Sequence, residues 1–195
     1  MNHSKKINSP LHYSIHMFML RAGPWRRMFP ELKYKFMIAS ALNECIGHEE
    51  FSGGKFLITG YLLTNRRIYI VCKIRFTEIN TILDLFCRKI KRAIRHELRR
   101  RNWLPGYSIA ERSKEIAGIN EEELFEKFRL TNDWLIQLIT GHDVALGYYD
   151  PKLEKLKKII QHEQFCSAID YAGGESPIII SKPRHNEKKR KKQKR

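Results

Sequence analysis

The stretch Phe56–Ile74 constrains the fold more than any other part of the chain. Its residues, FLITGYLLTNRRIYIVCKI, make an apolar, β-branched and aromatic run interrupted once, by Thr64-Asn65-Arg66-Arg67. That composition predicts two strands, Phe56–Leu63 and Ile68–Ile74, joined by a short polar connection. Gly60 inside the first strand predicts a bulge or a close backbone approach. In the second strand Ile68, Ile70 and Cys72 alternate with Tyr69, Val71 and Lys73, so each set takes one face. Strands this apolar are expected in the middle of a sheet covered by helices.

Helical patterns flank the pair. Before it, Leu32, Phe36, Ala39, Asn43 and Ile46 recur at helical spacing within Pro30–Glu50, with Gly47 as a stop. After it, Thr77–Arg101 carries an apolar stripe of Ile79, Leu83, Phe86, Ile90, Ile94 and Leu98. A second face of the same helix carries Arg88, Arg92, Arg95 and Arg99. His12–Leu20 is a first strand, ended by Gly23-Pro24. The order strand, helix, strand, strand, helix opens a ferredoxin-like α+β sandwich, an antiparallel sheet with packed helices.

Beyond that core, the charged region Tyr107–Asn132 offers only a thin apolar face, and Glu121–Glu123 reads as a solvated helix start. Asp133–Ile139 is expected as a buried helical turn and Pro151–Glu163 as an amphipathic helix. Ile178–Ile180 is strand-like, so the core gains a mainly helical C-terminal extension. The expected organisation is a disordered N-terminus over 1–10, one domain over 11–181 and a disordered basic tail over 182–195.

A chain of 195 residues with 42% hydrophobic content suits one domain with a substantial core. No apolar run approaches the roughly 18–20 residues a membrane span needs, and no signal-peptide pattern opens the chain. A cytoplasmic protein without a membrane partner is expected. Cys45, Cys72, Cys87 and Cys166 are widely spaced within apolar patterns, which predicts reduced core thiols. Charge is the strongest compositional fact: the net charge is +16. Lys182–Arg195 holds nine Lys/Arg against one Glu, and Arg88–Arg101 holds eight against one, so these segments carry +15 of it. Concentrated positive charge points to a polyanion, and nucleic acid is the commonest.

Two segments carry a family resemblance. Gly60–Val71, GYLLTNRRIYIV, resembles the strand pair of single-tyrosine HUH transposases, including the REP-associated and IS200-like proteins of mobile elements. Ser167–Gly174, SAIDYAGG, is similar to a segment that closes many of them. The resemblance implies a ferredoxin-like domain acting in DNA transposition. It also implies a strand opening Asn-His-hydrophobic-His, whose histidines hold a divalent metal, and a helix tyrosine that attacks a DNA phosphodiester. Here Asn65 is kept, but Arg66 and Ile68 stand at the two histidine positions, and a guanidinium offers a metal no lone pair. The chain contains no H-x-H, and the helix Thr77–Arg101 contains no tyrosine, Phe86 lying on its buried face.

Accordingly no catalytic residue, metal ligand or cofactor is assigned. His12 and His16 read as ordinary strand histidines. Tyr107, Tyr148, Tyr149 and Tyr171 fall in or near turns, as packing or stacking residues. The nucleic-acid-binding candidates are Arg66 and Arg67, which would hold a phosphate where the metal would act, the ridge Arg88, Arg92, Arg95 and Arg99, and Lys188, Lys189 and Arg190 in the tail. Trp25, Tyr61, Tyr69 and Trp103 lie near basic clusters and would stack on unpaired bases. The expected function is a nucleic-acid-binding protein with a transposase-like fold, catalytically degenerate, that binds single-stranded or hairpin DNA. Two alternatives stay open: an active, divergent transposase nicking single-stranded DNA through a tyrosine, and an RNA- or ribosome-associated basic protein. The resemblance also leaves a homodimer open.

Overall fold

The computed structural model describes residues 14–23, 29–46, 56–74, 79–101 and 124–182. Strands β1 (Ser14–Ala22), β2 (Leu57–Leu63), β3 (Arg67–Ile74) and β4 (Phe125–Arg129) form one antiparallel sheet in the order β2-β3-β1-β4. Helix α1 (Leu32–Ile46) follows β1, and α2 (Ile79–Arg101) follows β3. Both pack on one face of the sheet, which gives the ferredoxin-like arrangement that the order of elements predicts. Among the described residues three helices follow β4: α3 (Asp133–Ile139), α4 (Pro151–His162) and the single turn α5 (Ala168–Tyr171).

The hairpin supplies both cores. Ile68, Ile70 and Cys72 face α1 and α2 in the main core, together with Phe18, Leu20, Ile38, Phe86 and Ile90. Val71 lies on the opposite face with Leu62, Leu135, Ile139 and Ile160, and Tyr69 packs against that group. In β2 the register slips between Ile58 and Gly60. Because of this bulge Ile58, Tyr61 and Leu63 all reach the main core, although strict alternation would send Ile58 and Tyr61 to opposite faces. Gly60 is also a point of close approach, since a Cβ there would stand 2.9 Å from the Ile139 carbonyl oxygen.

Four expectations need correction. The inward face of α1 is not the one that starts at Leu32 and Phe36, which are exposed; Tyr34, Ile38, Leu42 and Cys45 are buried with Ala39 instead. β2 is not central: it is an edge strand, and only β3 of the pair lies inside the sheet. The charged stretch read as a thin helical region contains β4, whose FEKFR sequence does not alternate. It becomes a strand because it pairs with β1 along Phe18–Ala22. Ile178–Ile180 is not a strand, although Ser181 N donates to Ile58 O at 2.7 Å just beyond it. The proposed helix start at 121–123, the N-terminus over 1–10 and nearly all of the basic tail lie outside the described residues.

The C-terminal extension covers the outer edge of β2, where unpaired backbone groups would otherwise invite another chain. Leu63 N donates to Phe165 O at 2.9 Å and Ser167 N to Tyr61 O at 3.0 Å. Helix starts set the path to this edge. Asn132 Oδ1 accepts from Leu135 N to cap α3, and Asp150 Oδ1 accepts from Lys152 N and Leu153 N ahead of Pro151 to cap α4.

Candidate nucleic-acid interface

Helix α2 is amphipathic in the sense its sequence predicts. Ile82, Phe86, Ile90 and Ile94 are buried, and Phe86 stacks on Phe125 with centroids 5.5 Å apart. Arg88, Arg92, Arg95 and Arg99, at steps of four, three and four, all lie on the exposed side. Two nearby acids are already engaged. Glu97 is buried and pairs with Arg100 at 3.0 Å and Lys33 at 3.5 Å, while Glu44 takes Lys89 at 2.6 Å. The four ladder arginines make no ion pair among the described residues. Asp84 is exposed one turn before the ladder on the same side.

The course of the chain puts the hairpin arginines at the end of the sheet towards which α2 runs. β3 runs away from the turn and α2 returns towards it, and the Lys33–Glu97 pair ties the start of α1 to the end of α2 there. Arg66 and Arg67 are exposed. Arg66 O accepts from Ala22 N at 3.0 Å, so the turn is fixed to the end of β1, and Arg67 Nη1 donates to Tyr69 OH at 3.4 Å. Ile68, at the second histidine position of the resemblance, is fully buried beneath the helices. Among the described residues no group of three His, Cys, Asp or Glu side chains is placed to hold a metal.

The tyrosines divide sharply. Tyr61 is fully buried, which removes it from the stacking candidates. Its hydroxyl donates to Ser176 Oγ at 2.6 Å, and burial pushes its pKa up to about 12. Tyr171 donates to Thr59 O at 2.7 Å, and burial followed by the nearby Asp170 charge raises its pKa. Tyr148 and Tyr149 are exposed, at 68% and 77%, in the turn before α4. Tyr69 is half-buried. Trp25, Trp103, Tyr107, Lys188, Lys189 and Arg190 lie outside the described residues.

The SAIDYAGG segment is a clasp on β2. Ser167 Oγ accepts from Tyr61 N at 2.7 Å and lies in donating range of the Tyr61 and Ile139 carbonyls. The Asp170 carboxylate accepts from Ser176 N and Ser176 Oγ. Gly174 N donates to Ile169 O at 2.9 Å, and a Cβ on Gly174 would meet Ile169 Cγ2 at 2.8 Å. Gly173 adopts φ +95°, a conformation that favours glycine. Sequence reading gave the segment a likeness but no role; its role depends on β2, more than 100 residues earlier.

Three cysteines, Cys45, Cys72 and Cys166, are buried and Cys87 is half-buried, all as free thiols. Burial pushes the Cys45 and Cys72 thiols up to about 12 and Cys166 to about 11, which removes them from nucleophilic roles near neutral pH. No described helix is long and apolar enough to cross a membrane. No family model, curated protein sequence or solved structure matches the chain.

Proposed function

We propose that this chain is a nucleic-acid-binding protein with a transposase-like fold, which grips single-stranded or hairpin DNA through phosphate contacts and does not cut it. One observation carries the reading: four exposed arginines, without acidic partners among the described residues, follow one face of a helix fixed by its buried opposite face. Adjacent turns rise about 5.4 Å, so the guanidinium groups present a set spacing to a phosphate backbone. A solvated helix could tolerate the same charges, but its carboxylates would be free to intersperse them. Here Glu97 is withdrawn into the interior, which leaves Asp84, one turn before Arg88, as the exposed carboxylate of α2. Loss of cleavage follows from the resemblance, whose metal positions are occupied by an arginine and a core isoleucine.

Binding of a labelled hairpin, an unstructured strand and a structured RNA, each over a range of salt, tests this. Arg92→Gln with Arg95→Gln should flatten the slope of log K against log salt by about 1.4–1.8, the value for two lost phosphate contacts. It should also erode the preference for hairpin over unstructured DNA. Preference for the RNA would replace the DNA reading. A covalent protein–DNA adduct that survives denaturation in Mg²⁺ or Mn²⁺ would overturn the non-cutting one.

A further inference from the structure

At the corner of the sheet where β1 begins and β4 ends, a pocket of about 310 Å³ opens beside the first residues of α2. Strand register decides what lines it. Phe18 pairs with Arg129 and Leu20 with Lys127. Directly paired residues share a face, so Lys127 and Arg129 leave the sheet on the side that carries Phe18 and Leu20. His16, two residues before Phe18, joins the same side. Three basic side chains from adjacent strands thus line one cavity, with Phe18 and Ile79 as apolar walls and no carboxylate among the described residues of its lining.

Lys127 and Arg129 are held without an acidic partner among the described residues. Lys127 Nζ donates to Asn80 Oδ1 at 3.5 Å and stands 5.6 Å from the Phe18 ring centroid. Neither contact compensates its charge. Arg129 is exposed and makes no ion pair among the described residues. The His16 ring is oriented by Ser14 Oγ, 2.8 Å from Nε2. Burial, and then the Lys127 charge, holds its pKa below the ordinary histidine value.

We propose that this pocket binds a phosphate group, with Lys127 and Arg129 as its charged partners and His16 in its wall. An arginine fork and a lysine point charge together match tetrahedral phosphate oxygens. The proposal does not rest on the arginine ladder, which lies on the outer side of α2. The phosphate has two sources, a nucleic-acid strand or a free small molecule, and the test separates them.

Orthophosphate is titrated into the full chain while the His16 ring resonances are followed by NMR. A saturable shift is expected, weakened by about tenfold or more in Lys127→Gln/Arg129→Gln and retained in Arg92→Gln/Arg95→Gln. Far-UV circular dichroism checks the fold. If the double variant does not fold, Arg129→Gln alone, on an exposed edge, must weaken the shift. A mononucleotide and a short DNA strand with or without a 5′-phosphate identify the source. A gain from the 5′-phosphate that the variant removes places a strand end in the pocket. Equal binding of both strands, weakened alike by the variant, places an internal phosphate there. A response to orthophosphate and mononucleotide alone marks a small-molecule site. If His16 does not respond, or the variant binds every probe as the wild type does, the proposal fails, whatever the ladder does.

Discussion

Ser167 shows how much one hydroxyl can hold together. It accepts from Tyr61 N just past the point where the C-terminal segment stops pairing with β2, and it is fully buried. Ser167→Ala leaves that N–H buried without its partner, at a cost of about 1–3 kcal/mol. The unfolding midpoint in urea should fall accordingly, whereas Ser181→Ala, whose backbone N–H makes the observed bond, should change little. His16 gives a residue-level pH dependence. Its folded pKa is lowered, first by burial and then by Lys127, so the unfolded chain binds more protons below pH ~6.5. Stability from this residue is therefore fully present above that pH and is lost as pH falls towards the folded value. His16→Asn should flatten stability against pH over that window; an unchanged slope would show that His16 does not set it.

At the scale of elements, the strand pair and α2 behave differently from β4. α2 declares itself because its apolar stripe and arginine ladder both follow the helical period. Phe86 is the test of that assignment: it is fully buried against Phe125. Phe86→Ala should cost about 3–5 kcal/mol, read as a lower melting temperature and urea midpoint. An unchanged midpoint would mean that the helix presents another face to the sheet. β4 has no such internal signature. Phe125 faces the main core and Phe128 the opposite side, where Arg21 reaches over its ring with 4.9 Å to the centroid and pairs with Glu126. Its strand character comes from β1, a partner about 100 residues away.

On the scale of the whole molecule, the cations divide by element. The ladder lies on the outer side of the helical layer, the hairpin arginines at the end of the sheet where α2 finishes, and Lys127 with Arg129 at the corner of β1 and β4. The first two were visible in the sequence as charge at regular spacing or beside a turn. The third was not, because Lys127 and Arg129 follow Glu121–Glu123 and Glu126 in a stretch with no net basic bias. Only pairing with β1 turns both lysine and arginine to the side of His16.

The sequence by itself determined the hairpin and the faces of β3, the amphipathic α2, the irregularity at Gly60 and the ferredoxin-like order of elements. Each of these is a local pattern, read from period, branching or a missing side chain within a few residues. Tertiary structure alone decided that β2 is an edge, that SAIDYAGG clasps it, that Tyr61 is buried and that Ile68 lies in the core. It also brought His16, Lys127 and Arg129 to one pocket. These facts depend on which strand pairs with which, and pairing is set by burial and register between segments far apart in the chain.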